Sequence, residues 1–228
     1  MKSLIYKELK LAMHPICYVF VFFFPLLVII PSYPVAIGFI YVLSAYPILF
    51  LGANKGQQSN DLLFTALLPV RKRDIVLARI ITVFLLHSIF ILISSALVPV
   101  GLLIKENILA QGGTVEDVGI GLEGFVGVVA IVLVGYSIAD LIFFPIYYKR
   151  GKSIVMSTLL MIFAFAFYLA FFSVIIPYMD GGEAYVNFLT KSEIWVKLLV
   201  LLGAIVIYIG AHILVYILSY KRLEKVDF

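Results

Sequence analysis

The sequence predicts an all-α, polytopic membrane protein with six transmembrane helices. Two observations predict it. Of 228 residues, 64% are hydrophobic and only 13% are charged, against about 45–50% and about 25% in soluble domains. The apolar residues also gather into runs near the length of about 20 residues that a spanning helix needs. Lipid is therefore the expected solvent for most of the chain.

The elements follow in order. In residues 1–14, Ile5, Leu9 and Met13 recur at helical spacing, while Lys2, Lys7, Glu8 and Lys10 are polar. This predicts an amphipathic helix lying in the membrane interface with its lysines at the headgroups. The start is basic and then apolar, but no small-x-small cleavage site follows, so an uncleaved N-terminus is expected. The six apolar runs are Ile16–Pro31, Val35–Ala53, Ile75–Ile104, Gly124–Tyr147, Ile154–Pro177 and Ile194–Ser219. The first is short and contains Pro25. Pro31 and Pro34 force a turn between the first two, which form either a full or a re-entrant hairpin. Gly127, Ala130, Gly135 and Ala139 give the fourth span small residues for close helix packing.

Charge sets the expected orientation. With the N-terminus inside and one crossing per span, 14 of the 17 Lys and Arg residues fall on inside segments. Only Lys105, Lys191 and Lys197 fall outside. That is the positive-inside pattern, with both termini cytoplasmic. The basic residues lie in short clusters along the chain, which argues against nucleic-acid binding. The outer loops are too short for a folded extracellular domain. One transmembrane domain, 1–228, is expected: the interfacial helix 1–14, two spans in 16–53, a cytoplasmic segment 54–74, four spans in 75–219 and a tail 220–228.

Enzyme chemistry is not evident. Arg150–Ser153 reads RGKS, like the end of a phosphate-binding loop, but the required earlier glycine is replaced by Ile146. His14, His87 and His212 are far apart and lack metal-ligand spacing, so no metal site is expected. The single cysteine, Cys17, excludes an intrachain disulfide. Arg79 and Asp140 are read as lying near cytoplasmic span ends, where snorkelling or a polar cavity accommodates them. On the third span, Arg79, His87 and Ser94 fall within about an 80° arc at 100° per residue. They are a candidate translocation lining, or alternatively polar contacts between helices.

The segment 54–74 differs from its surroundings. Ser59, Asn60 or Asp61 can cap a helix. Leu62, Leu63, Ala66, Leu67 and Val70 then repeat on one face. Leu68–Pro69 breaks the pattern, Arg71–Arg73 follow, and Asp74 is placed to cap the third span. A short helix with one apolar side, tied to two spans, either lies on the bilayer or docks on a cytoplasmic partner.

The run LLFTALLPVRKRDIVLARII resembles the segment after the second span in ABC-2-type transporter permeases. Leu68–Val70, the basic run Arg71–Arg73, Asp74–Val76 and Arg79 carry the likeness. FFPIYYKRGKS (Phe143–Ser153) and the tail SYKRLEKVDF are also similar to that group, and the resemblance covers nearly the whole chain. It implies the non-catalytic membrane subunit of an ATP-driven exporter in a bacterial cell membrane. Two permease chains would pair, as a homodimer or heterodimer, and each would engage a separate cytoplasmic ATPase that binds ATP and Mg. No cofactor would be bound by this chain. Asp61, Leu62, Leu63, Phe64, Ala66, Leu67, Arg71, Arg73 and Asp74 would form the ATPase-coupling segment. Within the group, the short loops look most like permeases that export amphipathic peptides, such as the staphylococcal phenol-soluble modulin exporters. The implied cargo is an amphipathic peptide toxin, an antimicrobial peptide or a lipid-like molecule. The competing reading is an ion-coupled carrier or channel of six spans.

Overall fold

The structure, a computed structural model, describes residues 2–12, 15–30, 70–114, 124–150 and 154–225. These are helical throughout apart from short turns, and no strand occurs among them. In a lipid solvent a helix satisfies its backbone groups within itself, which is why apolar runs of this length take that form. Helix α1 (Lys2–Lys7) continues into a π-helical turn, Glu8–Ala12. Helix α2 (Pro15–Phe23) tightens into a 3-10 stretch, Phe24–Ile29, with Pro25 as its second residue. Next come α3 (Lys72–Ala110) and α4 (Phe125–Arg150). Helix α5 (Ile154–Ala170) runs through a π turn (Phe171–Ile175) into α6 (Ile176–Tyr178). Helices α7 (Gly182–Lys191) and α8 (Ile194–Glu224) complete the described chain.

Three of these helices, α3, α4 and α8, are long and apolar enough to cross a membrane. Two shorter apolar helices, Tyr18–Ile29 and Val155–Ala170, correspond to the expected first and fifth spans. The expected second span and the segment to Pro69 lie outside the described residues. Helix α3 begins at Lys72 and passes through Pro99 to Ala110, beyond both ends of the apolar run. Arg71, and not Asp74, holds the N-cap position; Asp74 sits in the first turn, where its charge still meets the positive end of the helix dipole. The segment before α8, expected as an outer loop, contains α7. Gly181, with φ of +86°, makes the turn into it.

Helix α4 is the centre of the bundle. Helix α8 packs along one side and α5 along another, while α3 lies against α8 and the 3-10 stretch and touches α4 little. The small residues of α4 permit this. A Cβ placed on Gly135 would come within 2.7 Å of Phe165 on α5, and one on Gly127 would collide with Leu189 on α7. Phe143, Phe144, Tyr136 and Phe165 fill the core at full burial. The outer face of α8, including Leu199, Leu202, Val206 and Ile213, is exposed, as expected where lipid replaces water.

Candidate functional site

Polar side chains lie inside this apolar bundle at two levels. The first is close to the ends that carry Arg71–Arg73, Lys149–Arg150 and Lys221–Arg222, the basic ends. Arg79 on α3 is 1% exposed. Its Nε donates to Glu8 Oε2 at 3.2 Å and its Nη1 donates to the Tyr147 hydroxyl on α4 at 3.0 Å. Lys7 Nζ reaches the other Glu8 oxygen at 3.3 Å. Arg79 therefore does not snorkel outward. It joins the N-terminal helix, α3 and α4 into one node.

This node reverses part of the expected face of the N-terminal helix. Glu8, read as an outward polar residue, is 1% exposed, and Leu4, outside the Ile5–Leu9–Met13 stripe, is buried. The cause is electrostatic: a guanidinium inside the bundle needs a carboxylate, and turning Glu8 inward supplies it. The Tyr18 hydroxyl donates to the Leu9 carbonyl at 2.6 Å, tying α2 to the π turn. Nearby, Arg222 of α8 donates to the Pro145 carbonyl of α4 at 2.6 Å. A polar cleft of about 340 Å³ is lined by Arg71, Lys72, Arg73 and Glu224, where α3 begins and α8 ends.

The second level is deeper. His87 of α3 stacks on Tyr136 of α4, ring centres 4.0 Å apart, and its Nδ1 lies 2.8 Å from the Tyr208 hydroxyl of α8. Asp140 of α4 is fully buried, and its Oδ2 lies 3.2 Å from His212 Nε2 on α8. Asp140 is thus held between helices and not at a span end. Sequence spacing separated His87 from His212 by more than a hundred positions, yet α3, running antiparallel to the parallel pair α4 and α8, brings them side by side with Asp140. Only chain crossing brings them together, so no local motif announces them.

The residues read as a coupling segment divide at residue 70. Asp61, Leu62, Leu63, Phe64, Ala66 and Leu67 lie outside the described residues. Arg71 and Arg73 are exposed at the start of α3. Of the three residues read as a candidate lining, Arg79 and His87 bond to neighbouring helices. Ser94 is fully buried, its hydroxyl without a hydrogen-bond partner among the described residues.

An open groove occupies the other half of the bundle. It holds about 560 Å³ between α3, α4 and α8, walled by Phe84, Leu92, Val98, Phe125, Leu201 and Ile205. Ser88 and Ser95 also face it, but their hydroxyls donate to Phe84 and Ile91 carbonyls at 2.8 and 2.7 Å. Their hydrogen-bonding capacity is spent on their own helix, so the wall is effectively apolar.

A helical bundle of this kind, with spanning helices and interior polar nodes, defines an integral membrane protein. The sequence matches the family described as ABC-2 family transporter protein over residues 3–224. The chain belongs to that family. No curated protein and no solved structure matches it.

Proposed function

We propose that this chain is the permease subunit of an ATP-driven exporter in a bacterial cell membrane, with both termini cytoplasmic, and that its cargo is an amphipathic peptide. Family membership across residues 3–224 carries the reading; transporters of this class take their energy from an ABC ATPase. The separate ATPase binds ATP and Mg and docks on residues 54–73. Two permease chains pair to complete the path.

The geometry supports a route for force. The segment 54–73 leads directly into α3, and Arg79, two turns into that helix, is bonded to both Glu8 and Tyr147. A push on the start of α3 is therefore shared with the N-terminal helix and α4 and is not dissipated in a loose turn. The groove supports the cargo class. Its apolar wall, with both serine hydroxyls internally satisfied, suits the apolar face of an amphipathic helix or an acyl chain.

The test is purification of a tagged chain from its native host in mild detergent, with mass spectrometry and an ATPase assay. Leu63→Asp with Leu67→Asp is expected to abolish ATPase capture or uncouple hydrolysis from export, while membrane insertion persists. Full capture and full export by the double variant would refute the coupling assignment. Amphipathic peptides that stimulate hydrolysis through the intact pair would identify the cargo class.

A further inference from the structure

Tautomer geometry at the deeper polar level points to a ligand. His212 Nδ1 lies 2.9 Å from the Tyr208 backbone carbonyl. A carbonyl only accepts, so Nδ1 carries a proton. In the neutral ring the opposite nitrogen, Nε2, is then a bare lone pair. Nε2 faces the Asp140 Oδ2 at 3.2 Å and has no hydrogen-bond partner among the described residues. Two acceptor atoms at that separation must be bridged by a proton or a cation.

Three further observations favour a cation. His87 brings a third donor: one ligand atom each from His87, Asp140 and His212 lie within 4.8 Å of one another, and all three residues are buried. Two ligands of a tetrahedral zinc ion, each about 2.0–2.1 Å from the metal, lie about 3.3 Å apart, which the His212–Asp140 pair already matches. His87 must close by at most about 1.5 Å to meet the same limit. Finally, the His212 ring is oriented as ligating histidines are, with its second N–H given to a backbone carbonyl.

We propose that His87, Asp140 and His212 form a binding site for a divalent transition-metal ion of the zinc class. Two imidazoles and one carboxylate are the donor set such ions take, and calcium or magnesium would require more oxygen. The ligands come from α3, α4 and α8, so the ion is a staple across three helices. Its place is deep. At about 1.5 Å per residue the three side chains lie about 15–22 Å from the basic helix ends, near the middle of a hydrocarbon layer of about 30 Å. The aromatic rings of Phe84, Tyr136 and Tyr208 lie against the two imidazoles. Direct contact between α3 and α4 is sparse, so a shared ion would fix a pair of helices that side-chain packing joins weakly.

The experiment uses the whole chain with whatever subunits copurify, carrying a tag without histidines. The protein is stripped with chelator and dialysed against buffered Zn²⁺ or Co²⁺. Bound metal is measured by inductively coupled plasma mass spectrometry, and the Co²⁺ form by visible absorption. One equivalent per chain, with an intense tetrahedral Co²⁺ band, is expected. Asp140→Asn and His212→Gln should each lose that equivalent and its band. Ser94→Ala, seven residues from His87 on the same helix, should retain both. Zn²⁺ should also raise the melting temperature of the wild type and not of Asp140→Asn. A wild-type chain that takes up less than a tenth of an equivalent would overturn the site and leave the proton as the bridge, as would Asp140→Asn and His212→Gln chains that bind metal as the wild type does. The wild-type result stands whether or not a variant folds, and it is independent of ATPase capture.

Discussion

The basic end and the middle of α3 meet opposite surroundings. Near its basic end, Arg79 is enclosed, 1% exposed, and bonded to two other helices. Further along, Leu92 is 68% exposed and borders a cavity of about 560 Å³. One helix is thus a fixed strut near its basic end and a groove wall along its middle. Polar residues have opposite uses in the two regions: at the fixed end they bond between helices, and in the groove Ser88 and Ser95 bond to their own helix and leave the surface apolar. Where a polar side chain sends its hydrogen bond decides whether it joins helices or lets them stand apart.

The largest expected effect breaks the fixed end. Glu8→Leu leaves Arg79 as a buried charge whose carboxylate is gone. Losing one partner of a buried pair costs about 3–5 kcal/mol. Thermal unfolding of the detergent-purified chain should show that loss, and Arg79→Leu alone should show a smaller one, because Lys7 still reaches Glu8. The double variant Glu8→Leu, Arg79→Leu should recover much of the deficit, because two apolar side chains need no pairing. A double variant as unstable as either single one would mean that the node acts through shape and not charge.

Gly135→Leu tests whether the packed half tolerates intrusion. Even a Cβ there would lie 2.7 Å from Phe165 and 3.0 Å from Tyr168. Overpacking a core costs about 1–3 kcal/mol, and the same melting assay should register it. Gly203 of α8, whose Cβ would meet nothing within 4 Å, is the comparison: Gly203→Leu should not lower stability.

This contrast also explains what could be read from the chain alone. The apolar runs Ile75–Ile104, Gly124–Tyr147 and Ile194–Ser219 marked their helices, because in lipid a single apolar run of about 20 residues satisfies its backbone within itself only as a helix. Gly135 was legible as a packing residue, since small side chains in a span have few other uses. The inward turn of Glu8 was not legible: helical periodicity assigns a carboxylate to the wet face, and the guanidinium that overrides it lies 71 positions away. The meeting of His87, Asp140 and His212 was hidden for the same reason, since it depends on how three spans cross. Helix α7 was missed because GGEAYVNFLTK has a short amphipathic pattern beside two glycines, which also suits a loop.

A smaller effect belongs to the Arg222 contact. Arg222→Met keeps the apolar stem and removes only the donor to the Pro145 carbonyl. A hydrogen bond from a charged donor is worth about 1.5–3 kcal/mol, toward the lower figure where water can replace it; Arg222 is half-buried. A loss near the lower value in thermal melting is expected. A loss as large as that of Glu8→Leu would place the stability of the basic end in the α8–α4 contact and not in the Arg79 node.

The smallest expected effect on stability falls in the groove, where the functional effect should be large. Ser95→Trp adds an indole at an exposed position whose hydroxyl bonds only to the Ile91 carbonyl. Losing that local bond changes stability by little, because serine bonding back to its own helix is neutral or slightly unfavourable. The stability should therefore stay within about 0.5 kcal/mol of the wild type, the usual span for exposed substitutions. The indole would nevertheless occupy a substantial part of the 560 Å³ that the groove offers. Peptide-stimulated ATP hydrolysis by the assembled complex should fall severalfold, while unstimulated hydrolysis is retained. Full stimulation in Ser95→Trp would mean that cargo does not use this groove. The contrast between the basic end and the middle of α3 would then be one of packing alone.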